Sequence, residues 1–445
     1  MSGVNILNYE LAPSPATIFG CLLPAPWLGL VAGLLLAFGS ASGLPDRFAP
    51  LTLAVTHSLV LGMLMPVMIG ALFQLMPVVA GQTVAAARYI SPFVATGSAL
   101  IAAGLVSGFL SGYVYGFMLA AGCAFVLYGA VVCALLHTAW RISVVDATTR
   151  TLRWTGVAIA MVVGIGIALA ANFAGWWSID VLHWLNLHVA WGLVGLIATL
   201  VLGVGSTTVP MFWQSARPSA RWQRVVPAAL WIPLVLATPV FFWQWALLAG
   251  CVFMLIFASI ALRAIWRARR RFDPAWQLWL VSAASWATAA LLTGLYNAGD
   301  SAHSLLAVLP VWVVQAFPWW IGVLVLVGGA VLPVNAMMGK IIPFLVFLHL
   351  RRQTPAGRRV PAMQVILPPQ RLLWQARLVL LALLLLLLLP LAPMALTTFA
   401  GLVFAASQGL LGALMLMTLF RYRRELHSVL MRPEANHIPH IPQKN

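Results

Sequence analysis

Twelve stretches of nearly uninterrupted apolar sequence, each long enough to cross a bilayer as a helix and each bounded by charge, Pro or Gly, constrain this chain more than any other feature. They run near 24–42, 50–76, 91–112, 115–139, 154–175, 185–211, 225–242, 244–266, 276–297, 312–349, 372–391 and 395–420, with Pro interrupting the seventh and the tenth. The chain is 62% hydrophobic and 7% charged, and its mean hydropathy is +0.99. Only lipid can solvate such a surface. Spans of about 22 residues consume most of the chain, which leaves short loops and no soluble domain. The expectation is an all-α, polytopic membrane bundle of about 12 transmembrane helices: an N-terminal segment over 1–23, one membrane domain over 24–420, and a basic tail over 421–445.

Charge gives the bundle two distinct ends. Lys and Arg resist translocation and mark cytoplasmic loops when loops are short. Arg88, the Arg141/Arg150/Arg153 group, Arg217/Arg221/Arg224, the run from Arg263 to Arg271, the group from Arg351 to Arg377 and Arg421/Arg423/Arg424/Arg432 all fall in even-numbered gaps or the tail. Arg47 alone falls in an odd one. Miscounting by one span would scatter these residues over both faces, so both termini are expected in the cytoplasm. The net charge of +17 is explained by attraction to an anionic leaflet, without nucleic acid. The first run lacks a preceding basic stretch, so the first helix is expected to be retained. Trp176, Trp177 and Trp184 flank the third outer loop as interfacial anchors, and the leucine-rich stretch 380–389 suits lipid exposure.

Ionisable groups at membrane depth are expensive and therefore informative. Glu10, Asp46, Asp146, Asp180, Asp273, Asp300, Glu425 and Glu434 all lie in loops, tails or span ends. A carrier coupled to protons or sodium usually needs a buried carboxylate, so this pattern weakens a transporter reading. Lys340 lies within the tenth run and either snorkels to the headgroups or gates a proton path. Cys21, Cys123, Cys133 and Cys251 lack the paired spacing of a metal or redox motif and read as packing residues.

Histidine carries the strongest signal. His57 opens the second run and His188 the sixth, both inward-running from the outer face. Each precedes the same layout: Gly62, Gly70 and Pro77 after His57; Gly192, Gly203 and Pro210 after His188. In both, the second Gly precedes the Pro by seven residues. The tenth run ends similarly at Pro343, but its outer end reads AFPWWIG, without His. This is an internal repeat with a period near four helices. Two imidazoles at equivalent depth, above small residues that admit a planar ring, leave two readings open: structural histidines bonded to carbonyls, or ligands of a metal or haem. His183, beside Trp184, and Gln74 are further polar candidates, whereas His137, His303, His349, His427, His437 and His440 fall at span ends, in loops or in the tail.

Twelve spans with histidines at the outer ends of the second and sixth resemble the haem–copper oxidase subunit I superfamily. The segments GALFQLMPVVAG, GLVGLIATLVLGVGSTTVPMF and GKIIPFLVFLH are similar to uncharacterised bacterial subunit-I-like proteins, including the NnrS group. The resemblance implies the bacterial inner membrane, haem b or copper as cofactor, and a respiratory complex or redox partner. It implies that His57 corresponds to the histidine of the low-spin haem and His188 to a copper ligand. The seventh and tenth spans lack the histidines that complete the dinuclear centre, so an oxidase reaction is not expected. The expected function is haem or copper binding for electron transfer, gas or metal sensing, or protection from nitrosative stress. The alternatives are a small-molecule or metal transporter, with Met63, Met65, Met68 and Met76 as thioether ligands, and a cofactor-free accessory or assembly protein.

Overall fold

The computed structural model describes residues 8–239, 242–270, 273–299, 309–355 and 359–431. Asp300, His303, Glu434, His437 and His440 lie outside them. The described residues are helical without a strand, and eleven helices are long and apolar enough to cross a membrane. Together with one short helix they are α1 (Pro15–Phe38), α2 (Pro50–Ala80), α3 (Ala87–Ser111), α4 (Val114–Ala139), α5 (Ala147–Phe173), α6 (Val181–Trp213), the short α7 (Ala228–Leu236), α8 (Trp243–Trp266), α9 (Pro274–Asn297), α10 (Val311–Gln353), α11 (Pro369–Leu391) and α12 (Pro393–Ser428). A backbone in lipid must satisfy its own hydrogen bonds, which is why apolar runs of this length become helices.

The termini of the bundle differ from the sequence expectation. Helix begins at Pro15, before the predicted boundary at 24, because Pro15 occupies a first-turn position where its missing N–H costs nothing, and Pro24 starts a fresh turn after a kink. At the other end α12 carries Arg421, Arg423 and Arg424 on helical turns, and Arg421 donates to the Ile366 carbonyl at 3.2 Å. Asp146 and Asp180 accept backbone hydrogen bonds at the N-termini of α5 and α6, at 2.8 Å from Thr149 N and 3.2 Å from His183 N. The carboxylates at span ends are thus N-caps.

The seventh predicted span, 225–242, is the largest departure. Pro227, Pro233 and Pro239 confine regular helix to Ala228–Leu236, nine residues against the roughly 20 a spanning helix needs. The segment still passes from one end of the bundle to the other. Arg150, at the start of α5, donates to the Gln223 carbonyl at 2.8 Å, and His183, at the start of α6, bonds the Thr238 carbonyl at 2.9 Å. Midway, the Trp231 indole donates to the Gly195 carbonyl at 3.0 Å.

Helices adjacent in sequence pack against one another, and α12 closes on α1 to complete the ring. Inside it lie α2 and α10. In each, 72% of the best apolar window is buried, against 22% for the peripheral α8. Leucines 380–389 split between the two environments, with Leu383, Leu386 and Leu389 buried and Leu381, Leu384 and Leu388 exposed.

The internal repeat is visible in the backbone. α2, α6 and α10 each contain a π-helical segment, at Val60–Leu64, Trp191–Ala198 and Leu324–Val331, and each later carries its Pro at 77, 210 or 343. A π turn leaves carbonyls without their usual helical partner. Trp231 fills that role at Gly195 in α6, and the Trp286 indole does so at Gly329 in α10, at 3.1 Å. The matched glycines also do the same job: a Cβ on Gly70 would sit 2.8 Å from Cys21 of α1, and one on Gly203 would sit 2.6 Å from Thr151 of α5. Each abuts the helix before its own. The second helix of each arc, α1–α4, α5–α8 and α9–α12, thus follows one plan, whereas the third differs, α7 being much shorter than α3 and α11.

Candidate functional site

His57 lies three residues before the π segment of α2, and His188 three residues before that of α6. The register of α10 puts Ile321 at the third equivalent position. The two histidines meet. Their rings lie 6.3 Å apart, centre to centre, with 10° between planes. His57 Nδ1 bonds the Leu53 carbonyl of its own helix at 2.8 Å, and His188 Nδ1 bonds the Val162 carbonyl of α5 at 3.0 Å. A carbonyl can only accept, so each Nδ1 carries the hydrogen and donates it. Each Nε2 then bears a lone pair, the form in which imidazole binds a metal, with the ring fixed by a backbone bond.

Packing fixes both rings further. Phe109 of α3 lies 5.1 Å from the His57 ring and 5.4 Å from Phe117 of α4. On the other side, a Cβ on Gly166 of α5 would come within 2.9 Å of His188 Cε1. Glycine there allows the close approach. Arg47, the one arginine of the odd-numbered gaps, reaches Asn186 Oδ1 at 3.5 Å and lies over the Phe48 ring at 4.5 Å. It ties the α1–α2 loop to the turn preceding His188.

Among the described residues no group of three or more His, Cys, Asp or Glu side chains is arranged to hold a metal. The pair therefore offers two nitrogens and no third ionisable ligand. His183 belongs elsewhere, on the Thr238 carbonyl. Gln74 sits 17 residues beyond His57 on α2, about 25 Å along the axis, and lines a central cavity. His349 Nδ1 shares a hydrogen bond of 2.6 Å with the Tyr422 hydroxyl. The methionines of α2 do not share one surface: Met63 packs toward Gly29, whereas Met68 lines the central cavity.

Lys340 forms an ion pair with Asp273 Oδ2 at the start of α9, while Asp273 Oδ1 accepts from Ala275 N at 2.9 Å. The ammonium thus meets a loop carboxylate, in keeping with a side chain extended toward the polar boundary, and the pair fastens α10 to α9. Asp273→Asn is expected to cost about 2 kcal/mol, because it leaves a largely buried ammonium without its carboxylate. Lys340→Met is expected to cost less than about 1 kcal/mol, because the carboxylate keeps its hydrogen bond from Ala275 N at 2.9 Å. Thermal unfolding of the two variants in one detergent checks the order.

No family model matches the chain, and no curated protein matches it either.

Two features escape a reading of the sequence: the π segments and the convergence of the two histidines. The shared His–Gly–Gly–Pro layout was their one signal.

Proposed function

We propose that His57 and His188 jointly hold one metal centre, either a copper(I) ion or a haem iron, on a scaffold like that of haem–copper oxidase subunit I. The observation that carries this reading is the pair of near-parallel imidazoles, each with Nδ1 spent on a carbonyl. A metal–nitrogen bond of about 2 Å on each side, plus about 1 Å from nitrogen to ring centre, spans about 6 Å. The ring centres lie 6.3 Å apart. Two nitrogens satisfy only certain metals: copper(I), which accepts few soft or imidazole ligands, or a haem iron, whose remaining ligands belong to the porphyrin. Zinc, with its preference for four protein or water ligands, fits less well.

One shared centre differs from the superfamily, where the corresponding histidines serve separate metals. When bound, such a centre would supply one-electron redox chemistry, and copper(I) held by two nitrogens would also keep a position for a diatomic gas. The chain's own contribution is to fix both rings, leave the Nε2 lone pairs for a ligand through donation from Nδ1 to backbone carbonyls, and keep the surroundings apolar with Phe109 and Phe117. This suits electron transfer, gas or metal sensing, or protection from nitrosative stress, with a redox protein or respiratory complex as partner. The eleven helices long enough to span, the seventh segment that passes between the two ends of the bundle, and the grouping of arginines in alternate gaps support placement in a bacterial inner membrane with both termini in the cytoplasm.

The test is composition and spectrum. Protein purified from cells replete in copper and haem is expected to carry close to one copper or one haem per chain by elemental analysis and reduced-minus-oxidised absorption. Preparations containing neither metal would overturn the reading.

A further inference from the structure

At the arginine-bearing end of the bundle, α11, α12 and the segment 366–368 that leads into α11 border an open cleft of about 280 Å³. Met417 and Phe420 of α12 supply its apolar wall. Arg371 of α11 and Arg421 and Arg424 of α12 supply the rest, so three guanidinium groups line a cleft that no carboxylate lines.

The chain leaves that charge almost unanswered. Arg421 Nη1 donates to the Ile366 carbonyl at 3.2 Å and to the Val365 carbonyl, both neutral acceptors. These bonds position the group without neutralising it. Arg371 Nη1 lies 3.6 Å from Met417 Sδ, a weak acceptor that carries no charge. Among the described residues Glu425 is the one carboxylate on either helix, and it approaches Arg424 at 3.8 Å on an exposed surface, where such pairs are worth little. Met417, Arg421 and Arg424 follow one another by four and three residues, so they share a face of α12, and the contact with Met417 brings Arg371 to that face. The first turn of α11, at Pro368 and Arg371, adds the positive end of a helix dipole to the same cleft. Mutually repelling cations gathered in this way are matched by an anion, and guanidinium groups pair best with a phosphate.

The surface beyond the cleft points to where the phosphate comes from. Trp374, one turn past Arg371, is exposed, and the Arg377 guanidinium lies over its ring at 5.1 Å. An exposed indole marks headgroup level. From there Trp374, Leu381 and Leu388, all exposed and seven residues apart, draw an apolar stripe down α11. Arg371 and Leu381 are separated by ten residues, about 15 Å along the axis, which is about half the hydrocarbon core and the reach of one acyl chain. A soluble phosphate would engage the arginines and leave the stripe unused, whereas a phosphodiester joined to acyl chains uses both.

We propose that this cleft binds one anionic glycerophospholipid, with Arg371, Arg421 and Arg424 on its phosphodiester and an acyl chain along the Trp374–Leu381–Leu388 stripe. A zwitterionic headgroup is disfavoured, because its ammonium would enter beside three cations. Diffuse attraction of a basic face to an anionic leaflet depends on charge alone. This site depends on which arginines are present and on the cleft being open. It involves neither His57 nor His188 and stands whether or not the protein carries a metal.

The test is gel filtration of full-length protein, delipidated in neutral detergent and incubated with labelled phosphatidylglycerol or phosphatidylethanolamine in mixed micelles, with retained lipid counted per chain. One phosphatidylglycerol per chain is expected to stay bound while phosphatidylethanolamine washes off. Arg371→Gln combined with Arg424→Gln should weaken binding about 25-fold, roughly fivefold for each arginine near an anionic surface. Arg423→Gln removes the same charge from an exposed position on α12 outside the cleft, and should leave binding within about twofold. Met417→Trp keeps every charge but fills the cleft, so it should abolish retention, and it tests the site independently if the double variant does not fold. Inorganic phosphate should not displace the lipid. Four outcomes would overturn the proposal: equal retention of the two lipids, displacement by inorganic phosphate, equal losses in Arg423→Gln and the double variant, or full retention by Met417→Trp.

Discussion

Replacing either His57 or His188 by alanine is expected to lower metal affinity on the order of 10²- to 10³-fold, with the fold intact. The magnitude follows from spreading the roughly 10–16 kcal/mol of a structural four-ligand site over its ligands, which gives about 3 kcal/mol per imidazole. Neither ring supports the helix packing on its own. His57 bonds a carbonyl of its own preceding turn, and His188 bonds a single carbonyl of α5. His183→Ala supplies the contrast, because that histidine holds the Thr238 carbonyl at 2.9 Å and takes no part in the pair. It should keep its metal and lose stability instead. Gly166→Val should fall between, weakening metal about tenfold to 100-fold by pushing His188 aside without removing a ligand. Titration of the four variants with copper(I) against a chromophoric chelator, and haem content by absorption, reads all of this. A site that survives both His57→Ala and His188→Ala is not built on these residues.

Much of the architecture is legible in the chain because lipid leaves few choices. Apolar runs in lipid become helices, so the helices can be counted, and the grouping of the arginines gives an expected direction. The structure has eleven helices long and apolar enough to cross, and it brings arginine-bearing ends together: Arg150 on the segment before α7, and Arg270 N on the Trp213 carbonyl at 3.1 Å. α7 is misread because hydropathy does not register backbone. Ala228–Leu236 is apolar enough, but three prolines leave it nine residues of helix, and its crossing is completed by polar bonds from α5 and α6.

The candidate site is legible only in outline, for a related reason. Spacing within α2 and within α6 places each histidine at the same depth, yet it does not reveal how each helix is rotated about its axis. A π segment adds residues to a turn and shifts every later side chain by about 100° per residue. This is why His57 faces His188 near one end of α2 while Gln74 and Met68 face the central chamber beyond the π segment. Nothing in composition or periodicity announces that shift. The carboxylates were legible as absences from the spans, and the structure adds that several serve as helix caps.

The closure of the ring is tightest at four residues, and breaking it there should cost more than any other single change outside the histidine pair. Around Gly33 and Gly401, α1 and α12 approach with almost no side chain between them. A Cβ on Gly33 would lie 2.6 Å from the Ala405 backbone nitrogen, and one on Gly401 would lie 2.7 Å from the Gly33 carbonyl oxygen and 2.7 Å from the Ala37 Cα. Those neighbours are backbone and cannot turn aside. Membrane helices associate through this kind of small-residue contact, because lipid gives them little hydrophobic incentive to associate. Gly401→Leu is therefore expected to destabilise the protein by about 3 kcal/mol or more, since overpacking here must separate two helices rather than rotate a side chain. It should appear as a lowered thermal midpoint and a broadened elution profile in detergent. Gly129→Ala, on α4 with nothing within 4 Å of the added methyl, provides the control. It should be neutral or stabilising by up to about 1 kcal/mol, the ordinary gain of alanine over glycine inside a helix. If both substitutions behave alike, the α1–α12 contact does not hold the ring shut. If Gly401→Leu alone fails, the first and last helices are the seam on which the three arcs close.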